Sequence, residues 1–476
     1  MNTSGEARTL YCMIIPVHYT DGYGYDDFFV QQVDKMMNGK ENYSARQFYL
    51  NASYGKIDLQ YELMPVHDMG VSSVWEEAMW QKDFDAYSDH YWQIYNAARR
   101  AYKGDLSKFD SDGDGYADMV IMVFDDPSVD GVSRLGTLYG GKCTSMNLNK
   151  VANNADHDYP SCRGVVCVER WQMMPDDGIG EEWRWAGDTL NSWNVLIHEI
   201  GHRFGVPDLY ADDAEGYGMH TPLGFDMHDT EVGDLGIWTK LAYGWVDPYV
   251  ITPDVEEVTL RLRCSARYPD CILIPTSAGW NGTPFDEYML VDVLGKAGNS
   301  LYQWDSEMLE FTSSKDAARY GGVRILHVDQ RLVYIDDDGR GAAMFDPSEL
   351  EHYNKKLQKL DNADYYQLWS LNTMGIGVPT EWSMGEDNAY YFKLHTMKRL
   401  PEDPYFLKRE NNRGIFDLCA CDLFVPGTSF SMATHGEAFA NAPYMNNHAA
   451  FDYEIIVEAY DSLKKEAVVT VKKTAQ

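Results

Sequence analysis

The stretch "HEIGHRFGVPD" spans residues 198–208 and places two histidines four residues apart, with a glutamate beside the first. On a helix, positions i and i+4 share a face, so His198 and His202 can aim two imidazole nitrogens at one metal ion. Zinc takes such nitrogens at about 2.0–2.1 Å, and catalytic sites use three protein ligands and leave a fourth position open. Glu199 stands beside that metal position rather than at it, which is where a general base takes a proton from water. Asp208 follows within one bend of the chain and is the expected third ligand; Asp226, Glu231 and Asp234 are later carboxylates that offer an alternative. The competing reading is a pair of core histidines with an accidental glutamate. It leaves the glycine and aspartate at their offsets unexplained.

These residues need a buried helix that stops soon after His202. Trp193, Leu196, Ile197, Ile200 and Phe204 supply its apolar faces. Gly205 sits where a left-handed residue ends a helix, and Pro207 prevents continuation. Downstream, "LGFDMHD" (223–229) contains Met227, a candidate for the methionine turn found beneath the metal of some zinc proteases, although core filling is the common use of this residue.

A second constellation is "DSDGDGYAD", residues 110–118. Asp110, Asp112, Asp114 and Asp118 occupy positions 1, 3, 5 and 9 of a calcium loop, and Tyr116 can offer its carbonyl at position 7. Position 12 is Ile121 rather than glutamate, so the loop is not a complete EF-hand. The reading is structural calcium, set against an acidic turn that holds no ion.

Around these motifs the pattern alternates strands and helices. "RTLYCMIIPVHY" reads as a buried opening strand, and "SARQFYLNASYGK" as a helix with Ser44 and Gln47 in capping-box positions and an end at Gly55. Ile57, Leu59, Tyr61 and Leu63 alternate as in a half-buried strand, residues 87–102 read as helix, and "DMVIMVF" (118–124) fits a central strand. Near residue 250 the texture changes. Pro248 and Pro253 punctuate the chain, and "VTLRLR", "DEYMLVDVL", "GGVRILHVD" and "DYEIIVEAYDSLKKEAVVTVKK" read as strands. "SELEHYNKKLQKL" is the exception, a helix with Ser348 and Glu351 as its capping box. The expected architecture is an α/β (α+β) catalytic domain over residues 1–250, with a mixed sheet and an active-site helix, followed by a β-rich region over 251–476.

Composition sets outer limits. The 476 residues carry a formal net charge of −34, a field that repels nucleic acid and anionic membrane surfaces. The longest apolar runs are too short to span a bilayer. "MNTSGEARTLYC" lacks the basic and apolar regions of a signal peptide. Eight cysteines leave local pairs at 162/167 and 264/271 or free thiols equally open. His18, His67, His157, His327 and His395 belong to no motif and read as ordinary structural or surface histidines.

With these residues in view, the chain resembles the immune inhibitor A family of secreted bacterial zinc metallopeptidases. The resemblance is carried by "SARQFYLNASYGKIDL", "DSDGDGYADMVIMVF", "HEIGHRFGVPDLY" and "GIWTKLAYGWVDP", and downstream by "EYMLVDVL", "GGVRILHVDQ" and "FVPGTSFS". It implies a zincin-like catalytic domain, zinc as cofactor, structural calcium, extracellular location, and a signal and propeptide not seen in this chain. The segment "FDMHD" departs from the tryptophan- and serine-flavoured methionine segment usual in that family. The resulting expectation is a monomeric endopeptidase acting on protein or peptide substrates. Two alternatives stand beside it: a non-catalytic protein that keeps its metals for structure and binds a host surface or glycan, and an aminopeptidase.

Overall fold

The computed structural model of the chain describes residues 8–39, 44–82, 84–113, 115–125, 143–147, 161–162, 164–170, 189–204, 209–211, 219–220, 226–230, 233–301, 321–330, 333–335, 342–344, 365–366, 394–397, 399, 423–436, 439 and 442–474. The chain divides into two compact units, Met1–Gly205 and Val206–Gln476. Both α-helices and several β-sheets are present, with strands dominating the second unit.

In the first unit the order is β1 (Arg8–His18), α1 (Asp27–Asn38), α2 (Ala45–Ala52), β2 (Ile57–Leu63), β3 (His67–Asp68), α3 (Ser73–Lys82), α4 (Phe84–Ala101), β4 (Met119–Phe124), β5 (Cys143–Asn147), β6 (Gly164–Glu169) and α5 (Thr189–His202). The sheet runs β2-β1-β4-β6-β5, with β3 pairing the end of β1. Its pairs are parallel except β5 with β6, so the sheet is mixed. All six residues of β4 are buried, as a continuous apolar run requires when both faces of a strand are covered. Tyr91, Ile94, Tyr95 and Ala98 of α4 recur at helical spacing and pack with Met13, Ile15, Val17, Val120 and Met122 on one sheet face.

Ser44 caps α2 by accepting from the Gln47 N–H at 3.1 Å. The Gln47 side chain does not return to the cap but donates to Asn51 at 2.8 Å, so half of the expected capping box forms. The helix ends at Ala52, before the expected Gly55, because the turn into β2 uses two left-handed residues, Tyr54 and Gly55.

The second unit opens with β7 (Tyr210–Ala211), β8 (Met219–His220), α6 (Met227–Thr230) and α7 (Ile237–Ala242). A five-stranded sheet is built from β9 (Tyr249–Val250), β11 (Ile272–Pro275), β12 (Glu287–Leu294), β13 (Gly322–Asp329) and β17 (Leu394–Thr396), and β14 (Val333–Ile335), β15 (Ala342–Met344) and β16 (Tyr365–Tyr366) form a small separate sheet. A four-stranded sheet joins β10 (Glu257–Arg263) to β18 (Ser429–Phe430), β19 (Tyr453–Asp461) and β20 (Glu466–Lys473). Val291, Val293, Val323 and Ile325 from the first sheet share one core with Ile455, Val457, Val469 and Val471 from the second. The change of texture near residue 250 thus falls inside this unit, where β9 and β10 begin. The helix expected over 348–360 lies outside the described residues.

Candidate metal centre

Helix α5 is the element that presents His198 and His202. Leu196, Ile197 and Ile200 bury one side of it, which fixes its rotation. Two contacts from α2 hold the same turn. The Tyr49 hydroxyl donates to the carbonyl of Ile197 at 2.6 Å, and the Tyr49 ring lies 5.1 Å from that of Phe204. On the other flank, Arg203 covers β6 at Gly164, where any Cβ would stand 2.4 Å from the guanidinium. Arg203 and Phe204 donate their N–H groups three residues back, to Ile200 and Gly201, tightening the last turn as expected for a helix about to stop.

The two imidazoles face each other with Nε2 atoms 3.1 Å apart and rings close to perpendicular, at 86°. Two nitrogens bound to one tetrahedral zinc at 2.0–2.1 Å would be separated by about 3.3 Å, so the spacing fits a shared ion. Imidazole is also a donor that suits zinc. Glu199 lies on the same turn with its carboxylate 3.9 Å from His202 Nε2, and both side chains keep partial solvent access at 13% and 17%. The Glu199 charge is felt nearby. Burial first, then Glu199, raises the Cys167 thiol, and Tyr49 is raised by burial, then Cys12 and Glu199.

A residue the sequence reading passed over joins this group. His198, His202 and His228 can each offer one ligand atom, and these atoms all lie within 4.8 Å of one another, so the three-histidine cluster can hold a metal ion. His228 falls in "FDMHD", the segment that carries the methionine-turn candidate and departs from the family pattern. An imidazole adjoining a proposed methionine turn was the available signal. Expected third ligand Asp208 lies outside the described residues. Leu209 donates its N–H to the His228 carbonyl at 2.8 Å.

The turn bearing His228 is heavily bonded. Asp226 accepts from the N–H groups of His228 at 3.0 Å and Gly236 at 2.9 Å, and from the Thr239 hydroxyl at 2.6 Å. Burial pushes its carboxyl up to about 6, against these hydrogen bonds. Asp234 pairs with the Lys240 ammonium at 2.6 Å and accepts from Asn299 at 3.0 Å. These two alternatives for the third ligand are therefore engaged in the turn itself; Glu231 lies outside the described residues. Met227 is buried, with its N–H on the Asp234 carbonyl at 2.9 Å, and the Tyr243 hydroxyl stands 3.5 Å from His228 Nε2.

The acidic loop is organised differently. Asp110 accepts from the Gly115 N–H at 2.9 Å and Asp118 from the Ser111 N–H at 3.0 Å. The Arg8 guanidinium stands 3.3 Å from both Asp112 and Asp118. Tyr116 forms a backbone bridge with Ser161, and Asp114 lies outside the described residues. Among the described residues, the three histidines are the one set of three or more potential ligands brought to metal spacing. His18 and His327 are paired with carboxylates, Asp125 at 2.5 Å and Glu287 at 2.9 Å, consistent with structural roles. Cys12, Cys162, Cys167, Cys264 and Cys271 are buried free thiols. No helix among the described residues is long and apolar enough to cross a membrane.

No protein-family model matches the chain, and no curated protein matches it. Among solved structures, one described as "Structure of a chaperone-substrate complex" is similar over 46% of this chain and 27% of that chain, at 13% identity and a TM-score of 0.20. This chain spans well under two thirds of that chain, and a likeness of this degree carries no inference about fold or function.

Proposed function

We propose that the chain is a secreted zinc-dependent endopeptidase with a zincin-like catalytic domain, resembling the immune inhibitor A family. The observation that carries this reading is the turn of α5. There, two imidazole nitrogens stand 3.1 Å apart and a partly solvent-open carboxylate lies 3.9 Å from one of them. A structural metal site has no use for that carboxylate; a hydrolase needs one as base.

Zinc, when bound, supplies a Lewis acid at the two histidines. His198 and His202 would hold it through their Nε2 atoms. His228 is the third donor in this reading, with Asp208 as its competitor. Glu199 accepts a proton from the attacking water and returns it to the departing amine nitrogen, so the chain's own carboxylate handles both proton transfers. Structural calcium at the 110–118 loop and a monomeric state complete the proposal.

The test is hydrolysis of casein and of an N-terminally blocked peptide by the purified chain. Glu199→Ala should abolish both while bound zinc, measured by elemental analysis, stays at the wild-type level. Full activity in that variant removes Glu199 as base. Cleavage restricted to peptides with a free amine points to an aminopeptidase, and zinc without turnover on any peptide points to a binding protein.

A further inference from the structure

We infer that Tyr49 is a positioning residue of the metal centre, clamping the α5 turn that carries His198, Glu199 and His202. This inference rests on the reading of that turn as a metal site. Tyr49 lies on α2, remote in sequence from the histidines, and no part of its side chain is solvent-exposed. Its hydroxyl donates at 2.6 Å to the carbonyl of Ile197, the residue immediately before His198. Its ring packs 5.1 Å from Phe204, two residues after His202. One side chain therefore grips the metal-binding turn at both ends.

The bond to Ile197 is not needed to make the helix, because that carbonyl already serves the i+4 ladder. A second donor on it fixes the tilt of the peptide unit leading into His198. It also gives the buried phenol an acceptor. Phe48, beside Tyr49 in sequence, packs edge-on against it with ring centroids 5.2 Å apart, so the phenol has little freedom to swing away. Two imidazoles that must meet at one point depend on the turn between them, and a small unwinding or tilt within that turn separates their nitrogens. Holding both ends of the turn keeps them convergent before any ion arrives.

The experiment compares two tyrosine-to-phenylalanine variants in the full chain. Tyr49→Phe keeps the ring and removes the bond to Ile197. Tyr95→Phe removes an equally buried hydroxyl, 3.4 Å from the Ser161 carbonyl, on a different helix of the same unit. Zinc affinity is read by competition with a chromophoric chelator, and site geometry by the visible spectrum of the cobalt(II)-loaded chain. Tyr49→Phe should weaken zinc about threefold to tenfold, the loss of one buried hydrogen bond, and alter the cobalt spectrum. Tyr95→Phe should leave both at wild-type values.

Equal zinc affinity in wild type and Tyr49→Phe overturns the inference, as does an equal loss in the two variants, which would mark a general stability effect. If Tyr49→Phe does not fold, Phe204→Leu, which removes the ring at the other end of the turn, carries the same expectation and the same overturning result. His198→Ala separates the two levels. Unchanged zinc affinity there defeats the metal-site reading itself, whereas lost affinity there with unchanged affinity in Tyr49→Phe defeats only the role of Tyr49.

Discussion

Helix α5, which carries His198 and His202, and the segment around Asp226 and Asp234, which carries His228, are held by opposite means. In α5 the support is apolar packing by Leu196, Ile197 and Ile200, plus one neutral hydrogen bond from Tyr49. In the turn the support is buried charge. Asp226 gathers three donors, and Asp234 meets a Lys240 whose side chain is only 1% exposed and whose ammonium also reaches the Ser265 carbonyl at 3.0 Å. A buried ion pair is expensive to desolvate and becomes more so when one partner is missing. The comparison therefore predicts that the turn fails abruptly when a charge is removed, whereas the helix yields by degrees as packing is trimmed.

The largest expected effect follows from that contrast. Lys240→Met leaves Asp234 buried without its cation and should lower the unfolding free energy by about 3–5 kcal/mol. Tyr49→Phe in α5 should lower it by only about 1–2 kcal/mol. Urea titration followed by tryptophan fluorescence measures both. Equal losses would erase the distinction between the two kinds of support.

The same contrast explains what could be read in the sequence. The helix was legible because its information is local: His198, Glu199 and His202 fall at helical spacing among apolar residues that mark the buried face. β1, β2 and β4 were legible for a like reason, since alternation or a continuous apolar run identifies a strand without its neighbours. His228 was not. Its place depends on Asp226 accepting from Gly236 and Thr239, and on Leu209 reaching its carbonyl, and none of those pairings has a period along the chain. Asp226 and Asp234 looked like spare ligands for the same reason, because a sequence shows a carboxylate but not the donors already spent on it. Arg8 entering the acidic loop from more than a hundred residues away belongs to this class too.

The next effect concerns the third ligand. His228→Ala should weaken zinc by at least about 100-fold, beyond the upper range for losing an outer partner of a ligand, while Asp208→Ala should change it by less than about threefold. Competition with a chelator under identical conditions ranks the pair. The reverse ranking would return the third position to the aspartate just past α5, and the turn would then have no part in the metal site.

A smaller effect depends on pH. In the first unit, burial, helped by the charge of His67, lowers His90 from 6.5 to about 4, with Glu76 at 3.6 Å. A base whose folded value is depressed contributes stability that is complete above its unfolded value, here 6.5, and is lost as pH falls through about 4. Thermal melts between pH 7 and pH 4 should fall, and His90→Gln should fall less steeply over that window. A variant that tracks wild type throughout would assign the acid sensitivity to other groups.

The smallest effect lies at the acidic loop. Arg8 is 39% exposed and stands 3.3 Å from both Asp112 and Asp118, so its ion pairs are screened and should contribute under about 1 kcal/mol. Arg8→Gln should therefore barely move the melting temperature when calcium is chelated. Adding calcium is the sharper measurement, because the guanidinium partly neutralises the carboxylates that an ion would use. If the loop holds calcium, the ion should raise the melting temperature of wild type, and raise it further in Arg8→Gln, where the competing cation is gone. A loop built only as an acidic turn should show no calcium response in either chain, and Arg8 would then be its resident counter-charge.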